Sequence, residues 1–339
     1  MGFIVVNLSA RILFAGGVVQ RRFGLFVWVS GEGMKQNSSR SKVEFFRKEF
    51  ITLARKAGGS YATVADRSRI ARYFLDYLNH SGIKLRQVES IKSRHIEDYI
   101  KSRIAQEISH RTLQNEMSAL RAILTQAGKS KLAAPDNERL NNVALGISGV
   151  NREGKKSALT QEEFCQAFQI IEKQDRGVAA TMRLAYAFGL RTKEAIEASK
   201  SLLTWERALE NGDKSIRVVF GTKGGRSRDT TIIDRDEARR AILYAEKEAS
   251  ERNGKLIKKP VIHQAINRYR YFLRKAGLTG EKAPHSMRYH FARELSVYHK
   301  SKGFNEKEVL AMVSMDLGHG DGRGRYIRQV YYRHEGYED

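Results

Sequence analysis

Between residues 35 and 130, apolar side chains recur four times at helical spacing. Residues 42–57 carry Val43, Phe45, Phe46, Phe50, Ile51 and Leu53. Residues 63–81 carry Ile70, Tyr73, Phe74, Tyr77 and Leu78. Ile96, Tyr99, Ile100 and Ile104 mark residues 93–107, and Leu113, Met117, Leu120, Ile123 and Leu124 mark residues 110–127. A period near 3.6 predicts four amphipathic helices. Periodicity then fades over residues 131–158, where Pro135, Gly146, Gly149, Gly154 and a polar run predict a linker. It returns after Thr160 and Glu163, which have the spacing of a capping box, and continues over 178–188 until Gly189. Residues 215–220 and 229–233 read instead as two strands, joined by the turn Gly221-Thr-Lys-Gly-Gly-Arg-Ser-Arg228. Helical spacing resumes over 234–252, 261–276, 286–302 and 305–317, and a glycine-rich stretch, 318–324, follows. The pattern predicts a mainly α protein with a small antiparallel sheet. It comprises a helical domain over 35–130, a linker over 131–158 and an α+β domain over 159–339.

Residues 1–34 follow a different pattern. Their apolar runs, 12–19 and 23–30, are broken by Arg11, Arg21 and Arg22. No run reaches the ~18 residues of a membrane span, and charges inside the apolar stretch do not suit a signal peptide. The expectation is an apolar extension outside the fold, with Met34 as the true start, and no membrane partner.

Composition adds a partner. The chain of 339 residues is 41% hydrophobic with three prolines, which suits two folded domains. It carries 61 Lys and Arg against 38 Asp and Glu, a formal charge of +23. Such an excess points to a polyanion, and its spread along the chain favours a wrapped surface over a sticky tail. Basic residues alternate with the apolar stripes of the N-terminal helices. This is the pattern of ordinary solvated faces and equally of a clamp on duplex DNA. Arg111 and Arg121 are the expected contacts there. Cys165 is the single cysteine, which excludes an intramolecular disulfide, suits a reducing cytoplasm and is expected to be a buried structural thiol.

Candidate chemistry lies in the second half. Arg191 lies where one helix ends and another begins, with Glu194 three residues on to orient its guanidinium. Arginine's planar fork matches two phosphate oxygens at once. Lys223 lies at the strand turn, where a mobile ammonium can protonate a departing hydroxyl; Arg226 and Arg228 are alternative DNA contacts beside it. His285 and Arg288 share one helix face at i and i+3, and His319 follows a helix end. Each has an ordinary reading by itself, as a surface ion pair, a basic hairpin tip or a capping histidine. His290 and His299 invite a zinc reading, but the spacing is not HExxH and no carboxylates cluster with them, so no metal is expected. Residues 149–156 nearly match a phosphate-binding loop, but Lys156 replaces the hydroxyl that would hold Mg²⁺, and ATP binding is rejected. Tyr331 and Tyr332 supply a phenol nucleophile. With a free pKa of about 10, a phenol needs cations and a proton acceptor to attack phosphorus.

Taken in order, these segments resemble the tyrosine recombinases of the phage integrase family. Gly-Leu-Arg191-x-x-Glu194 is similar to the first arginine box and Thr-Lys223-Gly-Gly to the hairpin lysine. Pro-His285-Ser-Met-Arg288-Tyr-His-Phe-Ala resembles the HxxR box, Leu-Gly-His319 the next histidine box, and Val330-Tyr331 the nucleophile segment. Residues 109–121 are similar to the helical core-binding domain. The resemblance implies a C-shaped clamp of two domains on double-stranded DNA. It also implies cleavage through a 3′-phosphotyrosine and a homotetramer that exchanges strands on two sites, integrating or excising a mobile element. No cofactor is implied, and an accessory directionality factor is left open. In most members the tyrosine lies about nine residues after the histidine, a position held here by Arg328. Tyr331 and Tyr332 lie twelve and thirteen residues after His319. Tyr331 is preferred for its apolar-Tyr pair, Tyr332 is the alternative and Tyr326 is third. Two rival functions share the features: a type IB topoisomerase-like relaxing enzyme, and a catalytically silent architectural DNA-binding protein. A nuclease is disfavoured by the lack of a carboxylate metal cluster.

Overall fold

A computed structural model describes residues 32–151 and 153–332, together with residues 7–8 and 23–24. The two short segments form an antiparallel pair, β1 (Asn7–Leu8) with β2 (Phe23–Gly24). Helix α1 (Glu32–Lys56) is already under way at Met34. Other expectations for the N-terminal extension fall outside the described residues.

Four helices build the first unit: α1, α2 (Tyr61–His80), α3 (Ser93–Ala105) and α4 (His110–Gln126). Ser60 and Ser109 cap α2 and α4, accepting the backbone N–H of Thr63 and Thr112. Such caps satisfy donors that have no partner inside the helix. The predicted apolar stripes meet in one core, where Phe50 contacts Phe74 at 5.6 Å and Phe74 meets Tyr99 edge-on at 5.4 Å. One charge is buried among them. Glu116 accepts the Tyr99 hydroxyl at 2.7 Å and both arms of the Arg103 fork, at 3.1 and 2.7 Å.

The predicted linker is mostly not a linker. A single turn, α5 (Ser130–Ala133), leads into a coiled stretch whose Leu140, Leu145 and Ile147 are buried in the first unit's core. The apolar side chains here are too sparse for helical periodicity, so the sequence showed no element. The chain divides after Val150.

The second unit is built around α7 (Arg176–Phe188), buried at Val178, Ala179, Ala180, Met182, Leu184, Ala185 and Phe188. Small residues let three helices pack against it: α6 (Gln161–Glu172), α10 (Arg235–Ser250) and α12 (Ser286–Ser301). The Thr160–Glu163 capping box forms as expected. Cys165, on α6, is exposed, which corrects the expected buried thiol. After α7 come α8 (Thr192–Glu197), which starts at Arg191 as expected, and α9 (Leu202–Glu210), which was not foreseen. The antiparallel pair β3 (Ser215–Val218) and β4 (Arg228–Thr231) aligns Val218 with Arg228. The Trp205 indole donates to Arg217 O at 2.8 Å and ties α9 to β3. Helices α11 (Ile262–Lys275), α13 (Glu306–Asp316) and α14 (Gly324–Tyr331) complete the unit. A second, smaller core joins Phe291, Leu295, Val313, Leu317 and Ile327 to both Tyr331 and Tyr332. The result is the expected mainly helical fold with a small sheet. Among the described residues no helix is long and apolar enough to cross a membrane.

Candidate active site

The C-terminal ends of α7 and α13 meet in the second unit. Helix ends leave carbonyls without intrahelical partners, and here arginines fill the gap. Gly189 closes α7 in a left-handed conformation (φ 57°) with the Phe291 ring against it, 2.3 Å from where a Cβ would lie. Only glycine fits there. Arg288, from the first turn of α12, donates to Gly189 O at 2.5 Å and to Leu317 O. Arg191, capping α8, donates to Leu317 O at 3.0 Å and Gly318 O at 3.2 Å. Arg228, from β4, donates to Asp316 O.

Glu194 holds two of these cations together. Its carboxylate accepts Arg191 Nη1 at 2.7 Å, the Arg191 backbone N–H at 2.9 Å and Arg228 Nη2 at 2.9 Å. Burial alone would raise its pKa, but Arg228, Arg288 and the Arg191 N–H hold it down at about 2. Three guanidiniums thus face one carboxylate, and the surplus positive charge is buried. Arg288, only 1% exposed, is pushed down to about 10 by burial and by its two arginine neighbours, yet stays charged at neutral pH.

Beyond the arginines lies the phenol. Tyr331, the last residue of α14, is 7% exposed. Its oxygen accepts Arg288 Nε at 3.3 Å and lies 3.1 Å from His319 Nε2. Burial and the arginine charges push His319 down to about 3. Its ring is therefore neutral, and Nε2 can accept the phenol proton when Nδ1 carries the ring hydrogen. The adjacent Tyr332 is committed elsewhere, its hydroxyl donating to Ala292 O at 2.8 Å. Tyr326 is exposed, its ring 4.8 Å from that of His319. His285 stands at the rim, its ring 6.4 Å from that of Tyr331. It is lowered to about 4 by displaced water and by Arg288 and Arg191.

Not every expected residue joins this group. Lys223 and Arg226 sit exposed on the turn between β3 and β4. Arg111 is exposed on the first turn of α4. Two expected DNA contacts are corrected. Arg228 is buried at 7% exposure and serves the arginine cluster, because alternation along β4 turns it inward with Thr230. Arg121 is turned against its own unit, donating to Leu140 O at 2.7 Å and Asn142 Oδ1 at 3.4 Å. His290 stacks on Tyr186 at 4.1 Å, and His299 lies 3.4 Å from Asp316. Sequence reasoning missed Asp316, which fastens β4 to α13 through the Thr231 N–H at 2.8 Å. It also missed Tyr289, whose ring lies 4.6 Å from that of Tyr331. The inward alternation of β4 was the one available signal for Arg228.

A family model described as Integrase matches residues 146–294, and one described as Phage integrase, N-terminal, matches residues 44–133. The first spans Arg191, Lys223, His285 and Arg288; His319 and Tyr331 lie beyond it. Among solved structures, the fold is similar to a lambda integrase tetramer bound to a Holliday junction. That chain is 16% identical, with 94% of this chain and 92% of that chain covered and a TM-score of 0.55. It is also similar to a lambda integrase(75-356) dimer bound to a COC′ core site, 16% identical over 88% of this chain and 98% of that one, with a TM-score of 0.50. No curated protein matches by sequence.

Proposed function

Since the chain belongs to the phage integrase family of tyrosine recombinases, we propose that Tyr331 is the nucleophile with which it cuts and rejoins DNA. The Tyr331 oxygen attacks the scissile phosphorus as its proton passes to His319 Nε2. A P–O bond to the phenol forms, the P–O5′ bond breaks, and the 5′ oxygen leaves with a proton from Lys223. The products are a 3′-phosphotyrosine and a 5′-hydroxyl. A 5′-hydroxyl from a second strand reverses the steps, so the energy of the diester is kept. Arg191 and Arg288 hold the non-bridging oxygens as charge builds on them, the largest kind of contribution in such sites. His285 adds a rim contact, and Glu194 and Arg228 keep the forks in place. Double-stranded DNA is the substrate, Arg111 and Arg226 contact its backbone, and four copies act on two sites to integrate or excise a mobile element.

One observation carries the choice of nucleophile: the Tyr331 oxygen lies between Arg288 and His319, whereas that of Tyr332 is spent on a backbone carbonyl. The test uses duplexes from the ends of the element that carries the gene, nicked to trap the covalent intermediate. Wild type and Tyr332→Phe should form a protein–DNA adduct, and Tyr331→Phe should form none. An adduct that survives Tyr331→Phe overturns the assignment. Relaxation of plasmid lacking those ends, with no strand exchange between them, would instead indicate a relaxing enzyme.

A further inference from the structure

The chain that leaves the first unit does not run free to the second unit's core. Residues 154–158 cross two elements of the candidate site. Gly154 lies on the last turn of α14, where its N–H points to Gln329 O at 3.4 Å. Its Cα is so close that a Cβ would fall 1.9 Å from Val330 O and 2.8 Å from the Tyr289 hydroxyl. The next contacts are with the turn that leads to His285. Lys156 Nζ donates to Gly280 O at 2.5 Å, Ser157 N–H to Glu281 O at 3.3 Å, and Lys282 Nζ to Ala158 O at 2.8 Å. A single strap thus ties the helix that ends in Tyr331 to the turn that precedes His285 and Arg288.

We propose that this strap positions the nucleophile and that Gly154 is a positioning residue for Tyr331, acting from the same chain. The inference rests on the reading of Tyr331 as nucleophile. Two features support it beyond simple packing. Val330, whose carbonyl meets Gly154, is the residue next to Tyr331, and Tyr289, which meets Gly154 on its other side, packs its ring on Tyr331. Any side chain at 154 must push the strap away from a backbone carbonyl, which has no rotamer to give. A displaced strap releases the end of α14.

The test is single-turnover cleavage by the full chain on the same element-end duplexes. Gly154→Ala should slow cleavage at saturating DNA by about 10²-fold, the cost of an ångström-scale misplacement, and leave the half-saturating DNA concentration unchanged. Lys156→Met loosens the strap without a clash and should slow cleavage about tenfold at an unchanged melting temperature. It decides the matter if Gly154→Ala does not fold. A substrate with sulfur at the bridging 5′ position separates positioning from proton donation, since a thiolate leaves without a proton. It should rescue Lys223→Ala and leave Gly154→Ala slow. Wild-type rates in both strap variants, losses that track DNA affinity alone, or rescue of Gly154→Ala by sulfur would each overturn the strap. Adducts in Tyr331→Phe would sink the underlying assignment instead.

Discussion

The arginine cluster and the turn between β3 and β4 carry the same sign of charge in opposite surroundings. Arg288 and Arg228 are 1% and 7% exposed and donate from their terminal guanidinium nitrogens to helix-end carbonyls, and Arg228 also to Glu194. Lys223 and Arg226 stand in solvent on a turn with two left-handed glycines, Gly224 and Gly225. The difference matches two tasks. Charge that stabilises a transition state works best when it is already oriented and dry, because nothing then reorganises as the reaction proceeds. A proton donor to a leaving group has to arrive, so it belongs on a movable segment.

The largest test of this contrast is Arg288→Lys. It keeps a positive charge but cannot serve Gly189 O, Leu317 O and the Tyr331 oxygen together. Cleavage should fall by about 10²–10³-fold, the usual cost of one lost oriented donor, read as single-turnover adduct formation. A fall below tenfold would mean that charge alone suffices and that the oriented fork is incidental.

Glu194→Gln tests the cluster's own stability. Removing one partner of a buried ion pair costs about 3–5 kcal/mol, to be measured by urea unfolding. The pH dependence has a definite sign. Glu194 is depressed from 4.5 to about 2, so its contribution is complete above pH 4.5 and is lost as pH falls toward 2. Wild type should lose stability across that window, and Glu194→Gln should lose less. Parallel curves would show that other carboxylates dominate acid unfolding.

Lys223→Ala is the matching test on the turn. Loss of a proton donor should slow cleavage by about 10²-fold, with the fold and its urea midpoint unchanged because Lys223 is exposed. Sulfur at the bridging position should restore the rate. An undiminished rate in the variant would transfer the donor's role to another group.

The two regions were not equally legible in the sequence. Helix stripes, the Thr160–Glu163 box and the strand pair could be read because each is a local pattern with its own period. So could the order of Arg191, Lys223, His285, Arg288 and His319. The arrangement of the cluster could not, because it depends on the ends of α7 and α13 meeting the starts of α8 and α12 from distant parts of the chain. Arg228 read as a surface cation since its partners, Glu194 and Asp316, are far away in sequence. Tyr331 led Tyr332 in the sequence only by its apolar-Tyr pair. What separates them is a helix, α14, hidden behind the glycines of 318–324, whose last turn aims one phenol at His319 and the other at Ala292. The strap was invisible for a similar reason: Gly154 looked like a linker glycine until Val330 was seen against it.

The smallest effect is also the sharpest comparison, because it concerns two arginines two residues apart. Arg226 is exposed and Arg228 is buried, although both were read as DNA contacts. Each phosphate neutralised by a lysine or arginine releases condensed counterions and adds about 0.9 to the slope of log affinity against log salt. Arg226→Ala should lower that slope by about one and weaken binding only a few-fold, with no change in unfolding. Arg228→Met should do the reverse. It leaves Glu194 with one cation fewer and β4 detached from Asp316 O, so it should lower the urea midpoint and keep the salt slope of wild type. Fluorescence anisotropy on one duplex at several salt concentrations, beside urea titrations of the same preparations, reads both quantities. If Arg228→Met also flattens the slope, the buried cluster contacts the ground-state phosphate directly, and the division between fixed and movable charge has to be redrawn around Arg228.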